Sequence, residues 1–220
     1  MSRKLAIKGL YAITPDELNT AELLRKTRLA LQGGTAVLQY RNKLADANLQ
    51  LEQALALRQL TREFGATFIV NDNTRLALQA DADGVHLGGD DGSVAAARMI
   101  LGRAKIIGVS CYNRAPLAAE AVKLGADYVA FGAFFPSGVK PDAVRAEPEL
   151  LEWARRELNV PLVAIGGITL SNGAVLLRAG AHALAVISAI FDAADIRSSA
   201  QEFSTLINKV RHDISKSNVI

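Results

Sequence analysis

The sequence predicts an α/β fold in which eight strand–helix units close into one (β/α)8 barrel, a TIM barrel spanning residues 1–220 as a single domain. Three observations carry this. One phrase recurs, a glycine followed by a β-branched apolar run, at Gly34-Thr35-Ala36-Val37-Leu38, Gly65-Ala66-Thr67-Phe68-Ile69-Val70, Gly125-Ala126-Asp127-Tyr128-Val129 and Gly180-Ala181-His182-Ala183-Leu184. The runs are continuous rather than alternating, which is how a strand covered on both faces reads. Amphipathic helical patterns separate them, so the chain repeats every roughly 20–30 residues, the length of a βα unit. An open, doubly wound sheet is the other architecture that such alternation permits.

Taken in order, the strands fall near 9–14, 35–41, 67–72, 84–88, 105–110, 128–134, 161–166 and 183–188. Between them the helical patterns are clearest at 20–32, 46–64, 115–124, 148–158 and 171–179, and a last helix near 195–214 closes the chain. The recurrent glycine belongs at a helix C-terminus, where the left-handed conformation carries no steric penalty for it. All six prolines fall between elements or at a helix start, as Pro148 does.

Composition narrows the function classes. Half of the 220 residues are hydrophobic and only 5% aromatic, so Ala, Val, Leu and Ile make the core. A domain of this size buries roughly 70–75% of its unfolded surface and needs no disulfide or structural metal to fold. Cys111 is the single cysteine, which points to a reducing cytoplasm. A net charge of +3, with Lys and Arg spread along helices, suits anionic metabolites and gives no case for nucleic acid. The longest apolar stretch, Ala181 to Phe191, falls short of the roughly 20 residues that span a bilayer. The number of subunits is left open, a homo-oligomer included.

In such a barrel the chemistry lies at the C-terminal strand ends. Those ends read Gln39-Tyr40-Arg41-Asn42-Lys43, Asn71-Asp72-Asn73, His86 to Asp91, Ser110-Cys111-Tyr112-Asn113, Gly132 to Lys140, Gly166-Gly167-Ile168-Thr169 and Ile187-Ser188. Asp72 and Asp91 form a carboxylate pair suited to a hard cation such as Mg²⁺. Arg41, Lys43 and Lys140 are placed to surround a polyphosphate. Gly166-Gly167 and Ile187-Ser188 follow strands seven and eight, where barrels often hold phosphate on backbone N–H groups. Each has a plainer reading: an Asp after a strand also caps a helix, Arg41 and Lys43 also suit a solvated rim, and Gly-Gly also makes a tight turn. His86 reads as structural, His182 and His212 lack zinc-ligand spacing, and Cys111 reads as a small buried hydrophobe.

In order, these strand ends resemble the thiamine-phosphate synthase family over nearly the whole chain. Tyr11-Ala12-Ile13-Thr14, Gln39 to Lys43, Asn71-Asp72, Gly84 to Gly88, Ile107 to Ser110, Phe131 to Lys140, Ala164 to Ile168 and Val186 to Ser188 carry the likeness. The resemblance implies a Mg²⁺-dependent transferase. It would condense 4-amino-2-methyl-5-(diphosphooxymethyl)pyrimidine with a thiazole phosphate, its carboxylate included, and release pyrophosphate. It further implies that Gln39, Tyr40, Arg41, Asn42, Lys43, Asn71, Ser110 and Lys140 hold the pyrimidine diphosphate, and that Lys140, Arg41 and Ser110 carry catalysis. Ser137, Gly138, Val139, Gly167, Ile187 and Ser188 would hold the thiazole phosphate, and Asp72 and Asp91 the Mg²⁺. The family's step is dissociative: pyrophosphate departs, a pyrimidine methyl cation forms, and the thiazole nitrogen captures it.

One stretch departs from the family pattern. Ser137 keeps a hydroxyl where the family has Thr, but Val139 offers none. A relative without synthase activity, acting as a thiazole tautomerase or regulatory binding protein, is the alternative, and such a chain should lack the diphosphate and metal residues kept here. An isomerase using an acid–base pair would need a His or Glu at a strand end, and only His86 sits at one.

Overall fold

The computed structural model describes residues 7–88, 92–136 and 144–217. Its elements run β1 (Gly9–Ile13), α1 (Thr20–Gln32), β2 (Val37–Tyr40), α2 (Ala47–Phe64), β3 (Thr67–Asn71), α3 (Thr74–Gln79), β4 (Gly84–Leu87) and α4 (Val94–Leu101). They continue through β5 (Ile106–Tyr112), α5 (Ala115–Lys123), β6 (Tyr128–Phe131), α6 (Glu149–Glu157), β7 (Leu162–Ile165), α7 (Gly173–Ala179), β8 (Ala183–Val186), α8 (Ser188–Phe191) and α9 (Ile196–Ser217). The eight strands pair in parallel, each with its sequence neighbours, and β8 returns to β1, so the sheet is a closed barrel and not the open alternative. Among the described residues no helix is long and apolar enough to cross a membrane.

The recurrent glycines do what the sequence reading asked. Gly34, Gly65, Gly125 and Gly180 all have positive φ, and Gly65 closes α2 in the left-handed conformation. Helix starts are fixed by side-chain caps: Asn19, Asp46, Asn73 and Ser93 each accept from the backbone N–H three residues on. Several boundaries differ from expectation, among them the strand expected over 128–134, which ends at Phe131. β5 runs two residues further, to Tyr112, through a register shift against β6 between Ser110 and Tyr112. The strand expected to reach Ser188 ends at Val186, because Ser188 begins the short α8.

Strand parity divides the core in two. Tyr11, Ile13, Val37, Ile69, Ile106, Tyr128, Ala130, Val163, Ala183 and Ala185 fill the barrel interior. Residues of the opposite parity, among them Leu10, Leu38, Tyr40, Phe68, Val85 and Phe131, pack outward against the helices. The interior tyrosines fit because small residues face them. A Cβ added at Gly108 would lie 2.0 Å from the Tyr128 ring. Parity therefore also sets which strand-end side chains reach the mouth of the barrel.

Candidate active site

A cavity of about 460 Å³ opens at the C-terminal end of the strands, within the range of small-molecule sites. Its lower wall is apolar, from Ile13, Ala130, Val163, Ile165 and Ala185, and its polar groups include Gln39, Arg41, Asn71, His86, Ser110 and Arg114.

The end of β2 is braced by the loop after β1. Thr14 Oγ1 donates to the Arg41 carbonyl and accepts from the Arg41 N–H, both at 2.9 Å. Asp16 accepts from Arg41 Nη1 at 3.2 Å and from the Lys43 N–H at 2.6 Å. The guanidinium is thus held at the rim by a partly exposed carboxylate, a pair that water screens and an anionic ligand can compete for. Gln39 and Arg41 share the inward parity, whereas Tyr40 and Asn42 take the other face. Tyr40 Oη donates to Gln53 Oε1 at 2.8 Å, and Asn42 Nδ2 donates to the same oxygen at 3.0 Å and to the Glu17 carbonyl at 2.7 Å. Their side chains brace β2 against α2 and do not line the cavity, so the expectation that they touch the pyrimidine diphosphate departs from their placement. Lys43 is exposed just beyond the strand.

After β3 the chain turns sharply. Asp72 sits at φ 61°, a conformation that Asp tolerates better than most residues, and its N–H reaches the His86 carbonyl at 2.7 Å. Asn71 Nδ2 donates to Asp72 Oδ2 at 2.5 Å. Asn73, not Asp72, caps α3, so capping does not account for Asp72. A half-buried carboxylate beside an amide oxygen is the donor chemistry Mg²⁺ takes, and in that respect the site fits the metal. Asp91, the other expected ligand, lies outside the described residues, as do Ser137, Gly138, Val139 and Lys140. Among the described residues no three His, Cys, Asp or Glu side chains group as a metal site.

Under the cavity, polar groups of five strands meet. Gln39 Nε2 donates to Tyr11 Oη at 2.8 Å, and Tyr11 Oη lies 2.8 Å from Tyr128 Oη. Tyr128 Oη is 2.9 Å from His86 Nδ1, whose Nε2 is 2.8 Å from Ser110 Oγ. The Tyr128 and His86 rings stack with centroids 5.5 Å apart. Burial pushes both phenols well above their ordinary range, so they stay protonated. Burial likewise pushes the outward-facing Cys111 thiol up to about 12, in keeping with an inert packing role.

On the opposite wall, β7 and β8 present Gly166, Gly167, Ile187 and Ser188 to the cavity. Gly167 has φ 61°, and a Cβ there would lie 2.3 Å from the Pro136 carbonyl oxygen, so only glycine fits. Asn172 supports this turn by donating to the Gly167 carbonyl at 3.0 Å.

The structure therefore brings Gln39, Arg41, Asn71, Ser110, Gly167, Ile187 and Ser188 to one cavity. Sequence reasoning missed Tyr11, Tyr128 and Arg114 as lining groups and set His86 aside as structural. Parity was the available signal for the tyrosines and His86: Tyr11 and Tyr128 share the inward face of their strands, and His86 stands in register with Asn71. Arg114 follows the two residues by which β5 outruns its expected end.

The family model described as thiamine monophosphate synthase matches residues 10–190. A thiamine-phosphate synthase of Methylobacillus flagellatus is 55% identical over 92% of this chain and 96% of its own length. One of Aromatoleum aromaticum is 54% identical over 92% and 97%. The thiamine phosphate pyrophosphorylase structure of Pyrococcus furiosus superposes with a TM-score of 0.84 at 39% identity, covering 92% of this chain and 96% of that one. An orotidine 5'-phosphate decarboxylase of Pyrococcus horikoshii, at 15% identity and a TM-score of 0.67, shares the fold alone.

Proposed function

The chain belongs to the thiamine monophosphate synthase family, and on that premise we propose how its barrel mouth carries out the family's reaction. It is a transferase of thiamine biosynthesis: the pyrimidine methylene carbon exchanges its bond to the diphosphate oxygen for one to the thiazole nitrogen. The products are thiamine phosphate and pyrophosphate. The observation that carries the assignment of subsites is the convergence of Gln39, Arg41, Asn71 and Ser110 on one side of the cavity and Gly167, Ile187 and Ser188 on the other.

In this reading Gln39 and Ser110 hold the polar edge of the pyrimidine. Arg41 and Asn71, with Lys43 and Lys140, take the diphosphate. Tyr40 and Asn42 act indirectly, by fixing the strand end that aims Arg41. The thiazole phosphate lies against Gly167, Ile187 and Ser188, with Ser137 and the 138–139 backbone completing that subsite. Asp72 and Asp91 would hold Mg²⁺, which when bound supplies neutralisation of the pyrophosphate charge. Cationic side chains at the leaving group matter most as its bond breaks, when charge develops there. The apolar wall of Ile13, Ala130, Val163, Ile165 and Ala185 keeps water from the methyl cation until the thiazole nitrogen reaches it. No side-chain nucleophile is required, consistent with a buried, protonated Cys111.

Incubating the protein with both substrates and Mg²⁺ should yield thiamine phosphate and pyrophosphate in equal amounts. Tautomerisation of the thiazole without coupling would instead favour the tautomerase reading. Retention of the diphosphate and metal residues Arg41, Lys43, Asp72, Asp91 and Lys140 favours the synthase.

A further inference from the structure

The five hydrogen-bonded groups beneath the cavity form one unbroken chain: Gln39, Tyr11, Tyr128, His86 and Ser110. All five line the floor of the cavity, and the middle of the chain is shielded from bulk water, with Tyr11 1% and Tyr128 0% exposed. A buried hydroxyl has one proton, and that proton needs an acceptor. The direction of the chain follows from this. Gln39 Nε2 donates to Tyr11, so the Tyr11 proton passes to Tyr128 Oη, its other hydrogen-bond partner among the described residues. Tyr128 must then donate to His86 Nδ1, which leaves the His86 proton on Nε2, donating to Ser110 Oγ. At the ends, Gln39 is left with its carbonyl oxygen as an acceptor and one further N–H, and Ser110 with its own O–H as a donor.

We propose that Tyr11, Tyr128 and His86 are positioning residues that fix this direction, so that the site reads an amino group beside an unprotonated ring nitrogen and rejects an oxo group beside a ring N–H. The proposal rests on the reading that the pyrimidine edge lies against Gln39 and Ser110. The 4-amino group donates to Gln39 Oε1, and the adjacent ring nitrogen accepts from Ser110. A 4-oxo pyrimidine reverses both polarities. To present the opposite polarity from the same positions at both ends, the chain would have to invert all of its links together: the Gln39 amide, two phenols, the His86 tautomer and the Ser110 hydroxyl. Coupling five groups makes that inversion an all-or-none change, so one cut in the middle should release each end to turn separately. Inward-facing residues of an otherwise apolar barrel interior have no packing need for such a chain, since Phe would fill the space of either tyrosine.

The test compares the 4-amino pyrimidine diphosphate with its 4-oxo counterpart, as KM for the first and Ki for the second. The wild-type protein should favour the amino compound by about a hundredfold or more, because a site built around polar partners rejects the analogue that leaves them unpaired. Tyr128→Phe keeps the ring and cuts the chain, and should shrink that preference at least about tenfold, chiefly by tighter binding of the oxo compound. Tyr11→Phe cuts one link earlier and should act in the same direction, and it serves if Tyr128→Phe does not fold. A wild-type protein without preference overturns the proposal. So does an unchanged ratio in either folded variant, or an equal loss of affinity for both compounds. Gln39→Ala and Ser110→Ala separate the two levels: if neither raises the KM of the amino compound, it is the assignment of the pyrimidine edge that fails.

Discussion

Gly108 and Tyr128 form a pair whose coupling can be worked out from their geometry. A methyl group at Gly108 would stand 2.0 Å from Tyr128 Cζ and 2.4 Å from its hydroxyl, well inside contact distance, so Gly108→Ala must displace the ring or the strand. Overpacking of this kind costs about 1–3 kcal/mol, offset by the roughly 0.4–1 kcal/mol that alanine gains over glycine through a less mobile unfolded chain. The net loss is about 1–2 kcal/mol, or on the order of 2–8 °C in Tm for a chain of this length. Tyr128→Ala alone should cost about 3–5 kcal/mol, from the cavity it leaves and the stranded Tyr11 and His86 groups. In the double variant the alanine methyl enters space the ring has vacated. Its cost should vanish, giving a coupling of about 1–3 kcal/mol by urea titration of the four proteins. Losses that add to within about 0.5 kcal/mol would show that the ring does not depend on the glycine, and would undo this account of how the tyrosine enters the barrel.

Other consequences are open to direct measurement. Asp72→Ala, or excess chelator on the wild-type protein, should abolish thiamine phosphate formation while leaving the unfolding transition in place; full turnover in chelator would remove the metal from the reaction. Lys140→Ala should lower kcat far more than it raises the KM of the thiazole phosphate, since charge develops on the diphosphate in the transition state; a change confined to the thiazole KM would put Lys140 in the other subsite. Tyr40→Phe should lower stability by about 0.5–1.5 kcal/mol and raise the KM of the pyrimidine diphosphate only modestly, leaving that of the thiazole phosphate unchanged, because its hydroxyl serves Gln53 and reaches the ligand only through Arg41. The two interior phenols titrate above their ordinary value of 10.0, so folding favours their protonated form. Their contribution is complete below pH 10 and is lost as the pH rises beyond it, and Tyr11→Phe should flatten that alkaline loss when unfolding is followed by tyrosinate absorbance.

The barrel was legible because the sequence repeats its own punctuation. The left-handed glycines at 34, 65, 125 and 180 end helices, and the continuous runs after Gly34, Gly65 and Gly125 could only be strands covered on both faces. The lining of the cavity was legible where a polar residue ends a strand and parity points inward, as for Gln39, Arg41, Asn71 and Ser110. Placement differs from expectation where neighbours along the chain were taken together. Tyr40 and Asn42 lie between inward residues, and the pleat alone sends them to Gln53. Tyr11, Tyr128 and His86 were given no part in the site for a different reason. Sequence shows the tyrosines in the bodies of strands and His86 as an isolated histidine at a strand end. Their chemistry appears only when the barrel closes and sets residue 11 within hydrogen-bond reach of residue 128, a contact 117 positions apart. Shared inward parity could have selected them, but not the order in which they are joined. That order is a property of the closed ring of strands, and it joins two separate polar groups of the cavity, Gln39 and Ser110, into one hydrogen-bonded series.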